Sequence, residues 1–162
     1  MPRPLLGFAG WFAVTLLAAT TGSMAAATSR VFYQELDRPA WAPPGWLFGP
    51  VWSVLYLLMA IAAWRVWRAR GWAGARTALA LNLVQLAANA FWSVCFFMWR
   101  DGLLATLDVV ALLALVVATL VAYARHDRVA AGLLAPYVVW VSFATALTVA
   151  VWQRNPALLG GR

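Results

Sequence analysis

LDRPAWAPPGWLFGPVWSVLYLLM, residues Leu36–Met59, is where the chain turns from an irregular run into a helical one. Trp41, Trp46, Trp52, Tyr56 and four prolines (Pro39, Pro43, Pro44, Pro50) share the 18 positions from Pro39 to Tyr56. Proline fixes φ and is excluded from helix interiors, so the part ahead of Trp46 is expected to be an extended, stiff strap. A helix then starts near Trp46 or Pro50, the latter tolerable in a first turn. Beyond it Trp52, Tyr56, Met59, Ala63 and Trp67 recur on one face at helical spacing. Such a face is either packed core or the wall of a cavity. The polar tips of tryptophan and tyrosine need partners at mid-span, which favours a cavity.

Outward from this stretch, the chain is 162 residues long, 65% hydrophobic and 10% charged, far outside the range of a soluble domain. Several uncharged runs exceed the roughly 18 to 20 residues that cross a hydrocarbon core of about 30 Å, so helices do the spanning. They are placed near Leu5–Ala27, Trp46–Ala63, Thr77–Trp99, Leu103–Tyr123 and Val129–Trp152. The expected fold is an all-α integral membrane protein, one domain over residues 1–162. It is a five-transmembrane-helix bundle with a lid-like first loop, Thr28–Gly45. An alternative for the first run is a secretory signal, with Arg3 ahead of it and Ala25–Ala27 as the cleavage site. Against that, the run is long and carries Trp11, Thr15, Thr20 and Thr21, which suit helix packing.

Net charge is +7, but the arginines are scattered between spans rather than gathered on one aromatic-bearing face, so nucleic acid is not an expected partner. Arg3, Arg65, Arg68, Arg70, Arg76, Arg125 and Arg128 fall on one side of the membrane, and Arg30, Arg38, Arg100, Arg154 and Arg162 on the other. The positive-inside rule then places the N-terminus in the cytoplasm. Cys95 is the single cysteine, which excludes an internal disulfide and reads as a small buried residue. His126, in the short loop beside Asp127, is expected to be solvated, so neither a metal site nor a haem ligand is foreseen. Neither a phosphate loop nor a nucleophile motif is present.

Within the first span, Trp11, Thr15, Ala18 and Gly22 share a face suited to close helix packing. In the loop, Glu35 and Asp37 offset Arg30 and Arg38, while Phe32, Tyr33 and Leu36 supply an apolar underside. A lid folded on the bundle and an interfacial aromatic belt both fit that pattern. Asn82, Gln85, Asn89, Trp92 and Phe96 form one stripe on the third span. Carboxamides in lipid must face the bundle, either to line a pocket or to bond across helices. Asp108 lies near the start of the fourth span, where the helix dipole favours an anion, and a structural role paired with Arg100 or a neighbouring helix is expected. On the fifth span Pro136, Trp140, Phe143 and Leu147 share a stripe, and Pro136 is expected to kink the helix.

FYQELDRPAWAPPGWLF, followed by WSVLY, resembles the hallmark of the translocator protein family, also called tryptophan-rich sensory proteins or TspO/MBR. That hallmark reads approximately W-Y-x-x-L-x-K-P-x-W-x-P-P-x-W-x-F and then W-x-x-L-Y. Asn89–Trp92 with Phe96 and Phe97, and PYVVWVSFAT at Pro136–Thr145, extend the likeness along the chain. The resemblance implies a bacterial-type member in a bacterial cell membrane, inner or outer left open, commonly a homodimer. It also implies a pocket for porphyrins, sterols or other aromatic ligands under the first loop.

By position, the implied ligand-binding residues are Trp41, Trp52, Tyr56, Asn89, Trp92, Trp140, Phe143 and Ala144, with a lid of Tyr33, Leu36, Arg38, Pro39, Pro43 and Pro44. The expected function is a membrane receptor or translocator for porphyrin, a ligand rather than a required cofactor. The alternative is light-dependent porphyrin degradation, with Trp52 and Trp140 as the redox-active rings and no other catalytic residue. Two departures are plain. The segment TVAVWQ between Leu147 and Arg154 lacks the tyrosine of the animal sterol motif, a weak pattern in any case. On the third span Ala80 is followed by Val84, an imperfect small-xxx-small pattern, so the dimer interface is not named.

Overall fold

The computed structural model describes residues 3–27 and 30–160, with side chains for 5–27 and 31–160. Thr28, where the first loop was expected to begin, and Arg162 lie outside the described residues, as do the side chains of Arg3 and Arg30. Helices account for the spans. They are α1 (Arg3–Ala27), α2 (Arg30–Glu35), α3 (Gly45–Gly74), α4 (Arg76–Ser93), α5 (Gly102–Ala124) and α6 (Arg128–Arg154). A π-helical turn, Val94–Met98, continues α4. All but α2 are long and apolar enough to cross a membrane.

α1 packs on α3 and α4, α3 on α6, α6 on α5 and α5 on α4, which closes a ring in the order α1, α3, α6, α5, α4. In lipid there is no hydrophobic drive between helices, so close approach must supply the contact energy. Alanine permits it: Ala60, Ala62, Ala63, Ala78, Ala105 and Ala130 are buried where the helices meet. Glycine does the same at two aromatic contacts. A Cβ at Gly7 would overlap the Trp67 ring, and one at Gly102 would overlap Trp152.

Three elements differ from expectation. α3 runs past Ala63 to Gly74, because Arg65 and Arg68 stay within the helix and find partners at its end. Arg65 Nε lies 2.9 Å from Asp127 Oδ2, and the Arg68 guanidinium sits 4.6 Å above the Trp64 ring. The break falls at Gly71, at φ 66° and ψ −179°, a region open to glycine. Asp127, for which no role was expected beside His126, caps α6 through Val129 N–H at 2.8 Å and Ala130 N–H at 3.1 Å. Finally, the first loop contains a helical turn, α2, ahead of the proline strap, and the strap itself has one tight turn where Ala42 N–H bonds Pro39 O at 2.9 Å.

Candidate functional site: an aromatic cavity beneath the first loop

The upper half of the ring encloses a cavity of about 1240 Å³. Its roof is the first loop. Phe32 and Leu36, 2% and 4% exposed, drop between α4 and α6 onto Cys95, Phe96, Leu147 and Val151. Asn155, at the end of α6, clamps the loop by accepting from Asp37 N–H and donating to Asp37 O, both at 2.9 Å. Arg154 adds an ion pair to the Asp37 carboxylate at 3.6 Å. Arg100, the one non-glycine residue at positive φ (54°) among the described residues, holds its guanidinium 4.5 Å over the Phe32 ring. The loop therefore folds on the bundle as a lid.

A run of ring contacts leads from the lid to the cavity floor. Tyr33 meets Phe48 edge-on at 5.8 Å, Phe48 meets Trp140 at 5.9 Å, Trp140 meets Trp52 at 6.4 Å and Trp52 meets Tyr56 at 5.4 Å. Across the cavity Trp92 stacks on Phe96 at 5.2 Å. The π-helical turn brings both Phe96 and Phe97 to the wall. Its marker is the Trp99 N–H bond to Val94 O, 2.9 Å long and spanning five residues.

Below the rings lies a directional hydrogen-bond chain. Tyr56 Oη donates to Asn89 Oδ1, Asn89 Nδ2 donates to Tyr137 Oη at 2.9 Å, and Tyr137 Oη donates to Gln85 Oε1 at 3.0 Å. Gln85 Nε2 then donates to Asn82 Oδ1 at 3.2 Å. The amide stripe of α4 is thus divided. Asn89 lines the cavity, whereas Asn82 and Gln85 are buried in the core, where Gln85 bonds across to Tyr137 and Asn82 accepts from Gln85 on its own helix. The same division runs along α3, where Trp52 and Tyr56 are wall and Met59 and Ala63 are core.

Trp52, Tyr56, Asn89, Trp92, Trp140 and Ala144 come together around the cavity, with Tyr33, Arg38 and Pro44 at its lid. Trp41 and Phe143 are outside the lining. Trp41, 52% exposed, covers Phe143 edge-on at 5.8 Å, and Phe143 backs Trp140 at 5.5 Å. Leu36, Pro39 and Pro43 belong to the loop but do not reach the cavity. Asp108 departs from its expected pairing. Its Oδ2 is buried without a hydrogen-bond partner, Arg100 lies on Phe32 instead, and the residue that caps α5 is Asp101, accepting from Leu104 N–H at 2.9 Å.

Sequence reasoning missed Tyr137, the hub of the bonded chain. A tyrosine one turn before Trp140 at mid-span, whose hydroxyl needs a partner, was the available signal. It also assigned Thr15 and Gly22 to packing alone, yet both line the cavity. Nothing in their residue type separates wall from contact. Val109 and Leu112 of α5 line it too, with no signal in an apolar helix.

Arg38 is the one charged residue among the described residues lining the cavity, its guanidinium 4.9 Å over the Tyr33 ring. Trp92 Nε1, Trp140 Nε1 and Tyr33 Oη are buried without partners. The site is therefore rich in donors and in ring faces and has no lining carboxylate. Among the described residues no group of histidine, cysteine or acidic side chains could hold a metal ion.

Fold and site together define a multi-pass helical membrane protein with an aromatic cavity inside its bundle, roofed by its first loop. Residues 11–153 match the TspO/MBR family, and the chain belongs to that family. It is 39% identical to the tryptophan-rich protein TspO of Chlorobaculum tepidum over 127 residues, 77% of this chain and 80% of that one. It is 37% identical to the translocator protein of Homo sapiens over 133 residues, 81% of this chain and 79% of that one. Protein CrtK of Rhodobacter capsulatus is 37% identical over 153 residues, 92% of each chain.

Proposed function

We propose that this protein is a membrane receptor or translocator for porphyrins and comparable flat apolar ligands, bound in the cavity beneath the first loop. The observation that carries the reading is the lining. Ring faces from α3, α4 and α6 line a cavity of about 1240 Å³, at or above the upper end of the roughly 300–1,000 Å³ typical of small-ligand sites, which suits a large polycyclic guest. A porphyrin is a flat apolar macrocycle with anionic carboxylates at one edge. Trp52, Trp92 and Trp140 would take its faces. Arg38 at the lid would receive a carboxylate, a charge-assisted contact. Asn89 commits one amide hydrogen to Tyr137 and accepts from Tyr56, but retains a lone pair on Oδ1 for a ligand N–H.

Titration of the detergent-solubilised protein with protoporphyrin IX, read by tryptophan fluorescence, tests the assignment. Trp140→Phe and Asn89→Ala are each expected to weaken binding by about tenfold, the loss of one ring contact or of one polar anchor. Unchanged affinity in both variants excludes this site. The light-driven alternative has no observation of its own in its favour, because the Trp52–Trp140 contact serves a passive wall equally well.

A further inference from the structure

The cavity does not end inside the ring of helices. On α3, Trp52 and Tyr56 point toward the bundle interior, where they meet Trp140 and Asn89. Ser53 and Leu57 follow them by one residue each, a turn of about 100° around the helix, and still line the cavity. α1 repeats the pattern: Thr15 is buried, while Leu16, Ala19 and Thr20, further round the helix, line the same space. Phe12, Leu16, Trp46 and Leu57 are 40%, 48%, 72% and 45% exposed. The cavity therefore reaches the outer flanks of both helices and breaks through between α1 and α3, on a face that meets lipid.

The two halves of the α1–α3 contact differ. Below the cavity the helices are in tight register: Gly7 lets the Trp67 ring lie on the α1 backbone, and Phe8 meets Trp64 edge-on at 5.6 Å. Above it, the hydroxyls of Thr15, Thr20 and Thr21 bond back to carbonyls of α1 itself, at Trp11 and Leu17, and Ser53 bonds Gly49 of its own helix. Moving the upper part of α1 away from α3 breaks none of these bonds. Raising the lid instead means breaking both Asn155–Asp37 bonds and exposing Phe32 and Leu36.

We infer that the cavity exchanges a bilayer-dissolved amphiphile sideways through the seam between α1 and α3. The upper part of α1 swings about the Gly7–Trp67 contact while the lid stays clamped. The inference does not rest on the ligand being a tetrapyrrole, and neither does its test.

The test uses the full chain in lipid nanodiscs, with Cys95→Ala and a single reporter thiol at Ala144→Cys, inside the cavity. Its labelling rates with a dodecyl maleimide, which partitions into the bilayer, and with a sulfonated maleimide, which does not, are compared between variants. Gly49→Phe, at a position where a side chain meets open space, and Ser53→Leu fill the seam. Each is expected to slow the dodecyl reagent by about tenfold, since a packed side chain must leave its rotamer to reopen the path. The sulfonated reagent is expected to label slowly throughout, and Asn155→Ala, which loosens the lid, to leave the dodecyl rate unchanged. Thr148→Cys, another cavity position, serves as a second reporter should Ala144→Cys fold poorly. Dodecyl rates indifferent to both seam variants, or a sulfonated rate that rises with Asn155→Ala, would overturn the sideways route.

Discussion

Asp127 shows how much one side chain at a membrane surface can hold. Burial opposes its ionisation, but the Ala130 and Val129 N–H donors and the Arg65 guanidinium outweigh it and keep the carboxyl below the usual carboxylate range. A carboxyl whose folded pKa is lowered adds stability above its unfolded value, about 3.9, and loses it as pH falls through the folded one. Between pH 7 and 5 the melting temperature is therefore expected to be insensitive to this group, with loss setting in below about pH 4. Asp127→Ala is expected to cost about 0.5–2 kcal/mol at pH 7 through the lost cap, and to abolish this part of the acid sensitivity. A variant as stable as the parent in detergent thermal melts contradicts it. Tyr137→Phe is the buried counterpart: it leaves Asn89 Nδ2 and Gln85 Oε1 without their partner and is expected to cost about 1–3 kcal/mol. Sequence spacing placed Asn82, Gln85 and Asn89 on one face correctly, but spacing carries no depth. Whether an amide meets a cavity or another helix depends on what the facing helix offers, here Tyr137 from α6.

At the scale of elements, the lid is held by its ends. Asn155→Ala removes two bonds to Asp37 and is expected to cost about 1–2 kcal/mol. The loss should appear locally, as faster amide hydrogen exchange across residues 36–42 with the spans unchanged; uniform acceleration throughout the bundle contradicts a local clamp. Gly102→Ala forces a methyl group into the Trp152 ring and is expected to destabilise by about 1–3 kcal/mol. Trp152→Phe should relieve part of that cost, and strict additivity in the double-variant cycle argues against the contact. The number of spans and their places along the chain were legible because uncharged runs of this length have few other uses. The extension of α3 was not, since arginines in a helix that outruns the bilayer look like the start of a loop. Nor was the π-helical turn, after which the chain leaves through Arg100 and Asp101, the latter bridging to Gly160.

The described residues form a ring of five helices long and apolar enough to cross a membrane, tight in its lower half and hollow above. The hydrophobic pattern predicted five helices and could not predict their order, because every outer face in lipid is apolar and the small residues that permit contact occur on all of them. The hallmark stretch resolved into parts with separate duties: the strap carries Trp41 on the outside, while Trp52 and Tyr56 form wall. The cavity exists only where α1, α3, α4, α5 and α6 each contribute. Its occupation from within is the central claim, and filling it tests that most directly. Ala144 lines the cavity, whereas Val139, on the same helix, is 69% exposed toward lipid. Protoporphyrin IX titrated against Ala144→Trp and Val139→Trp is expected to lose at least about tenfold in affinity with the first and nothing with the second, since a packed ring leaves no room for the guest. Equal affinity for both variants and the parent would place the ligand outside the bundle and contradict the account.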